Sequence, residues 1–168
     1  MGISLGSMGV GIVQSVNISS KNILRINNPK LFTPKFEIIS SYQYAGIREA
    51  SQFLKAEKIP RSFRKQILES FDARTLKVRK SSHQEYGIRY YDNINSWEKG
   101  RYLFETFPAS RQHLALKPEW NQMLYIKQFK IMPNTTILEG KVSSMGIGVE
   151  GGQTQKFILD LNNLLELK

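Results

Sequence analysis

The chain of 168 residues carries 24 Lys and Arg against 14 Asp and Glu, so its formal net charge is +10. With 40% hydrophobic and 11% aromatic residues it can bury a core, which excludes a disordered basic tail. Cysteine is absent and only 2 histidines occur, which excludes disulfides, thiolate metal sites and an all-histidine metal site. No apolar run reaches the roughly 18 residues that a membrane span requires. We therefore expect a soluble basic domain without a metal, a bound cofactor or a membrane span.

The first 40 residues differ in composition from the rest of the chain. Glycine stands at positions 2, 6, 9 and 11, and residues 1–14 hold no charged side chain. Residues 15–40 are polar and contain short β-like runs. We interpret residues 1–40 as a flexible linker or an N-terminal arm, and residues 41–168 as a single folded domain.

Two amphipathic helices are predicted at the start of this domain. Apolar residues recur at helical spacing over residues 45–58. Pro60 suits the first turn of a second helix, whose apolar stripe runs from Phe63 to Phe71.

Beyond Asp72 the pattern changes to the alternation that is typical of strands. We predict strands over residues 76–79, 86–91, 124–131, 135–142 and 154–161. Pro133-Asn134 is predicted to join two of them as a hairpin, and residues 143–152 form a glycine-rich loop. Asn95-Ser96 is predicted to cap a short helix over residues 97–105. Helices followed by mostly antiparallel strands define an α+β fold.

The positive charge is concentrated in one stretch, which we call the basic belt. It faces only Glu69 and Asp72 and comprises Lys58, Arg61, Arg64, Lys65, Arg74, Lys77, Arg79 and Lys80. Such a belt attracts anions such as RNA, a dinucleotide or an acidic protein. A solvated helix face followed by a charged strand edge explains it equally well. The charge by itself therefore names no partner.

Two features of the middle of the chain are candidates for ligand contact. Arg89 stands between Ile88 and Tyr90 on an otherwise apolar strand, where an arginine is costly to bury unless it meets an anion. The alternative is an exposed arginine, or an ion pair with Asp92 or Glu85. Gly100-Arg101-Tyr102 places a glycine where the backbone can approach a neighbour closely and a tyrosine that can stack on a flat ligand or fill the core.

Two further candidates lie in loops. Arg111 lies in a segment bracketed by prolines, where it either contacts a ligand or is simply solvated. Gly151 and Gly152 allow close approach of the backbone to a ligand, and Thr154 and Gln155 follow at the start of the last strand. A glycine pair that merely leads into a strand is the alternative.

Familiar catalytic signatures are absent from the sequence. It contains no phosphate-binding Walker loop, nucleophile elbow or HExxH zinc motif. His83 falls in a polar turn and His113 close to Arg111, positions typical of surface residues. If the two met in the fold, they would be the acid and base of a metal-free ribonuclease.

Taken in order, Arg89, Gly100-x-Tyr102, Arg111 and Gly151-Gly152-x-x-Gln155 resemble the motifs of the tuberculosis necrotizing toxin family. The resemblance covers about the last half of the chain. The segments YGIRYYDN, GRYLFETFP, LALKPEWNQM and GGQTQ also resemble the C-terminal toxin domains of contact-dependent and Rhs-type polymorphic toxins. For residues 41–168 the resemblance implies a catalytic domain with an ADP-ribosyltransferase-like fold and a split antiparallel sheet. It implies hydrolysis of NAD+ to nicotinamide and ADP-ribose.

The resemblance also implies a role for each matching residue. Arg89 and Arg111 would bind the pyrophosphate through their guanidinium groups. Tyr102 would pack against a ring or a ribose, and Gln155 would lie near the nicotinamide ribose. The catalytic set would be Gln155, Arg89, Arg111 and Tyr102, and the residues binding NAD+ as substrate would be Arg89, Arg111, Gly151, Gly152 and Thr154.

One departure from that family concerns a functional histidine between the second arginine and the glutamine. In this chain the interval holds Trp120, Asn121 and Tyr125 but no suitable histidine, because His113 follows Arg111 too closely. Another residue then fills that role, or the activity differs.

Three functions remain open at this point. The first is NAD+ hydrolysis by a toxin that is delivered or secreted as the C-terminus of a larger protein and acts in the target-cell cytoplasm, with protein ADP-ribosylation as a variant. The second is a metal-independent ribonuclease, such as a tRNase, of the barnase, EndoU, colicin or RelE type, with the basic belt on nucleic acid. The third is a basic binding module without activity. A toxin implies a cognate immunity protein, and an acidic one would suit this surface.

Overall fold

The computed structural model describes residues 43–167, and the predictions for residues 1–40 lie outside them. Within these residues two helices precede seven strands, and one 3-10 turn, Leu161–Asn163, lies before the last strand. The elements are α1 (Ala45–Ala56), α2 (Arg61–Glu69), β1 (Lys77–Lys80), β2 (Glu85–Tyr91), β3 (Tyr102–Phe104), β4 (Tyr125–Ile131), β5 (Thr136–Lys141), β6 (Thr154–Ile158) and β7 (Leu164–Glu166). None of the helices within residues 43–167 is long and apolar enough to cross a membrane.

Both predicted helices are confirmed, and their apolar stripes face the sheet. Ala50 and Leu54 of α1 are fully buried, and Ile67 of α2 joins them in one cluster with Leu138 and Phe157. Pro60 immediately precedes α2, as expected of a residue that fixes φ and has no N–H to satisfy. This packing places α2 against the part of the sheet that contains Leu138 and Phe157.

The strands form one antiparallel sheet in the order β1-β5-β6-β3-β2-β4-β7, so the α+β class is confirmed. Every pair of neighbouring strands in this order is hydrogen-bonded, so the strands form one continuous sheet and not two separate sheets. Strand pairing is shortest between β2 and β3, where Ile88 lies opposite Phe104. By contrast, β2 pairs with β4 along its whole length. Arg89 lies one residue beyond the junction of β2 and β3.

The prediction of a helix over residues 97–105 was wrong, because this segment contains strand β3. Leu103 and Phe104 are both buried, but in clusters on opposite faces of the sheet. A helix would have directed only one face of this run to a core. Burial on both sides therefore outweighs the local capping signal at Asn95-Ser96.

The predicted hairpin between residues 124–131 and 135–142 was also wrong. Strand β4 pairs with β2 and β7, whereas β5 pairs with β1 and β6. A turn does exist, with Asn134 at φ 62° and the Thr135 N–H donating to the Met132 carbonyl. The Ser81 hydroxyl also donates to Met132, which holds the turn against the start of the β1–β2 connection. The last predicted strand ends at Ile158, and β7 follows it.

A buried ion network crosses the face of the sheet opposite the helices. The Lys156 ammonium, whose side chain is 5% exposed, lies 2.5 Å from a Glu85 carboxylate oxygen and 2.9 Å from one of Glu105. Arg79 donates two hydrogen bonds to Glu85 and also pairs with Glu139. These three carboxylates could by their spacing hold a metal ion, but lysine and arginine side chains already neutralise them. The network fixes Lys156, the neighbour of Gln155, on strand β6.

This network predicts a dependence of stability on pH. The Arg79 guanidinium, helped by Lys156, holds the pKa of Glu85 at about 2 despite its burial, against an ordinary value of 4.5. A lowered pKa stabilises the fold above pH 4.5, and this contribution is lost as the pH falls toward 2. In chemical unfolding followed across that range, the parent is expected to lose stability more steeply than Glu85→Gln. Parallel curves for the two proteins would contradict this assignment.

Candidate functional site

A cavity of about 330 Å³ opens at the narrow junction of the sheet. Its polar lining consists of Arg89 from β2, Tyr102 from β3, Gln155 from β6, and Gln66 and Ser70 from α2 and its end. Apolar walls come from Phe104, residues 114–116, Val142 and Met145, with Trp120 at the side. Three of the sequence candidates, Arg89, Tyr102 and Gln155, therefore meet in one place.

Arg89 supplies the only charge that lines this cavity within the described part of the chain. Its Nε donates to the Trp97 carbonyl at 3.3 Å and its Nη1 to the Tyr102 carbonyl at 3.2 Å. Burial lowers the pKa of the guanidinium, while the charge of Asp92 opposes that shift. Among residues 43–167 no carboxylate forms a salt bridge with it, so its charge is available to an anion.

Gly100 is required by the position of this guanidinium. A Cβ atom at residue 100 would lie 2.7 Å from both Cζ and Nη2 of Arg89, closer than real Cβ contacts. The close approach expected of Gly100 from the sequence is thus confirmed, and the neighbour that it approaches is Arg89. The backbone at residue 100 therefore packs directly against the guanidinium.

Gln155 is oriented by Ser70. Its Nε2 donates to the Ser70 carbonyl at 2.7 Å and lies 3.3 Å from the Ser70 hydroxyl. A carbonyl only accepts hydrogen bonds, so this contact determines which end of the amide is nitrogen. Although Gln155 is 3% exposed, no polar side-chain atom in the described residues is both buried and unsatisfied. The Oε1 atom accepts no hydrogen bond from the described residues, so it is the atom of this amide left to accept one.

Aromatic side chains form two walls of the site. The Tyr102 ring packs edge-on against Phe157 with centroids 5.1 Å apart. Burial is the main cause that raises the pKa of this phenol, so Tyr102 is neutral near pH 7. Trp120 is 45% exposed and carries the Lys117 ammonium 4.9 Å from its ring centroid. Both rings offer flat surfaces for a ligand.

Of the three residues Trp120, Asn121 and Tyr125, Trp120 is the one that lines the cavity. Asn121 is buried, where its amide donates to the Tyr90 carbonyl and accepts from the Met123 N–H. Tyr125 packs on Tyr91 with ring centroids 5.4 Å apart. Neither of these two lines the cavity, whereas Trp120 does.

Arg111 does not line the cavity. Its guanidinium donates to the carbonyls of Leu116, Asn121 and Gln122, and thereby closes the loop that carries Trp120. Leu114 and Ala115 from the same loop are buried against Phe104 and Val142. Arg111 therefore stabilises the loop that forms one wall of the cavity, although it does not line the cavity itself.

Replacing Arg111 by alanine is expected to destabilise the fold by about 2 kcal/mol, because three carbonyl groups lose a charged donor. The affinity of the cavity for a ligand should change little. Denaturant unfolding and ligand titration on the same preparations measure the two effects. Weaker ligand binding with an unchanged free energy of unfolding would instead place Arg111 in contact with the ligand.

The glycine pair and Thr154 also lie outside this cavity. Gly151 has φ 74° and a Cβ there would lie 2.5 Å from the Val142 carbonyl oxygen. The N–H groups of Gly151 and Gly152 donate to the carbonyls of Gln112 and Val142, so neither is offered to a phosphate. Thr154 pairs with Lys141 at the start of β6. These residues let β6 begin close to β5, which positions Gln155.

Both histidines are exposed and lie away from the cavity lining. His83 is in the turn between β1 and β2, and His113 is in the loop that Arg111 closes. Sequence reasoning missed Gln66 and Ser70, because one helix face and one helix end in a sequence carry no signal of a cavity. Phe104 was also missed, as it lies in the segment taken for a helix.

The fold is that of an antiparallel α+β domain, and it is shared with a solved protein complex. The chain is similar to a chain of the structure of Tse6 in complex with Tsi6, with 16% identity and a TM-score of 0.61 over 75% of this chain and 97% of that chain. At this level of identity the likeness shows a shared fold. No family model matches the sequence, and no curated protein matches it.

Two further solved structures are less similar. One is Tne2 in complex with Tni2, with 12% identity, a TM-score of 0.46 and coverage of 55% of this chain and 87% of that chain. The other is Rhs1-CT in complex with its cognate immunity protein RhsI1, with 14% identity, a TM-score of 0.48 and coverage of 64% and 90%.

Proposed function

We propose that residues 41–168 form the C-terminal toxin domain of a bacterial polymorphic toxin and that this domain hydrolyses NAD+ to nicotinamide and ADP-ribose. The observation that carries the proposal is the cavity in which Arg89, Gln155 and two aromatic rings meet, with no carboxylate from residues 43–167 in its lining. The fold shared with the Tse6–Tsi6 structure supports the toxin class. The proposal includes an ADP-ribosyltransferase-like fold and NAD+ as the substrate.

Hydrolysis of the bond between nicotinamide and ribose requires few catalytic groups from the protein. The bond between C1′ of the ribose and N1 of nicotinamide breaks, and its electron pair neutralises the positive charge of the leaving group. A water oxygen then bonds to C1′, and one proton is released. Because the leaving group is a cation that departs as a neutral molecule, no strong general acid is needed. Positioning of substrate and water contributes most of the rate.

Each residue of the cavity has a place in this reaction. Arg89 binds a phosphate of the pyrophosphate through charge-assisted hydrogen bonds. The Gln155 Oε1 accepts a hydrogen bond from the attacking water or from a ribose hydroxyl. A neutral amide is a poor base, which suits hydrolysis better than activation of a protein nucleophile. Tyr102 and Trp120 offer ring faces to the cationic nicotinamide.

The ribonuclease alternative has less support from the fold. The basic belt does not present one continuous cationic face, because Lys65, Arg74, Lys77 and Arg79 each pair with a carboxylate. His83 and His113 do not line the cavity that contains Arg89. We propose that the remaining exposed cations serve a cognate immunity protein of acidic character, and that the toxin acts in the cytoplasm of a target cell after delivery.

The test is incubation of the purified chain with NAD+ and, separately, with total RNA. We expect release of nicotinamide and an equal amount of free ADP-ribose, with intact RNA. RNA fragments with unchanged NAD+ would contradict the proposal and favour the ribonuclease. Nicotinamide released with ADP-ribose attached to protein would favour the transferase. No turnover of either substrate would favour a binding module.

A further inference from the structure

A second cavity, of about 470 Å³, adjoins the one that contains Arg89. Tyr102 and Gln66 line both cavities and so form the boundary between them. Arg101 and Phe63 line only the second cavity. Binding sites for small molecules and cofactors typically occupy about 300–1,000 Å³. The volume of the first cavity is at the lower end of that range. A larger ligand would therefore extend from the first cavity into the second.

Helix α2 joins the two cavities along one face. Pro60, Phe63 and Ile67 line the second cavity, Gln66 lines both, and Ser70 lines the first. Spacings of three and four residues put such side chains on the same side of a helix. From Phe63 to Ser70 the helix rises about 10 Å. The two cavities therefore form one groove beneath α2, with Ser70 and Gln155 toward one end and Phe63 toward the other.

The second cavity combines one cation with apolar and aromatic surfaces. The Arg101 Nε donates to the Leu159 carbonyl at 3.0 Å, and its terminal nitrogens make no other hydrogen bond within residues 43–167. Among the described residues no carboxylate lines this cavity or pairs with Arg101. Phe63 is 58% exposed, so its ring is accessible to a ligand in this cavity.

We propose that this second cavity binds an adenosine monophosphate group, with Arg101 on the phosphate and Phe63 against the adenine ring. A planar base stacks on an aromatic face, and a guanidinium binds phosphate oxygens in pairs. The inference rests on the proposed function and extends it, because NAD+ would lie along the groove with its nicotinamide half beside Gln155. Arg101 then makes the second phosphate contact. Arg111 does not make it, because its guanidinium donates to three carbonyl groups.

Two measurements test the proposal. The first compares kcat/KM for NAD+ and for nicotinamide mononucleotide, which lacks the adenylate half. The preference of the parent for NAD+ is expected to fall about tenfold in Arg101→Gln and in Phe63→Ala, because each loses a contact that only NAD+ makes. Arg74→Gln removes the same charge outside the groove and should keep the parent preference. Equal turnover of both substrates by the parent would overturn the proposal.

The second measurement is calorimetric titration with adenosine monophosphate, which needs no turnover. Binding to the parent and to Arg74→Gln, with at least tenfold weaker binding to Arg101→Gln and Phe63→Ala, supports the adenylate cavity. Binding without release of nicotinamide would keep this cavity and refute the proposed hydrolysis. Release of nicotinamide without binding of adenosine monophosphate would refute only the adenylate cavity. Release of nicotinamide with equal binding of adenosine monophosphate by all four proteins would have the same meaning. Both variant positions are exposed, so folding is expected to survive the changes.

Discussion

Replacing Gln155 by alanine is expected to lower kcat for nicotinamide release by a factor of about 100 to 1,000. The amide is held by the Ser70 carbonyl through Nε2, so Oε1 is the remaining acceptor of a side chain whose residue lines the cavity. Alanine removes this acceptor from the place where water must be oriented. Loss of one preorganised hydrogen-bonding group in an active site typically costs a factor of this size. KM should change much less, since Arg89 remains in place to bind phosphate.

The matched control for this change is Gln128→Ala. Gln128 is exposed on β4, and its side chain makes no hydrogen bond with the described residues. Its replacement should leave kcat and KM unchanged. Thermal unfolding of both variants separates loss of chemistry from loss of fold, because Gln155 is also buried. A Gln155→Ala protein that is folded and as active as the parent would remove Gln155 from the mechanism.

The helices could be predicted from the sequence because their signals are local. The apolar residues of α1 and α2 repeat at helical spacing, and Pro60 marks the boundary between them. Strand partners are different, because pairing depends on residues far apart in the chain. Strands β4 and β5 follow one another across a turn, yet they pair with different neighbours on separate sides of the sheet. Nothing in residues 132–135 distinguishes this turn from that of a hairpin.

The candidate site was partly predictable for the same reason. Arg89 stands out because it interrupts an otherwise apolar strand, and Gln155 stands out because it follows the Gly151-Gly152 pair at the start of the last long strand. Arg111 looks the same in a sequence whether it donates to carbonyl groups or to a phosphate, and only the fold shows the carbonyls. Ser70 acts through its backbone carbonyl, which every residue has. Its contact with Gln155 spans 85 positions in the chain, so no local pattern could reveal it.

Replacing Arg89 by alanine is expected to raise KM for NAD+ about 100-fold. The guanidinium is the cation of the cavity, and charged hydrogen bonds of about 2–3 kcal/mol correspond to this factor. Gly100→Ala should act in the same direction while keeping Arg89, because its Cβ would lie 2.7 Å from Cζ and displace the guanidinium. Steady-state release of nicotinamide measures both effects.

A double-mutant cycle tests whether Gly100 acts through Arg89. In the Arg89→Ala background the guanidinium that a Cβ would displace is absent, so Gly100→Ala should cost little further affinity. The two single effects would then fail to add, which is the signature of residues that share one interaction. Additive losses would instead show that Gly100 supports the fold independently of the guanidinium. An unchanged KM in Arg89→Ala would exclude Arg89 from substrate binding and leave the aromatic walls as the main contacts.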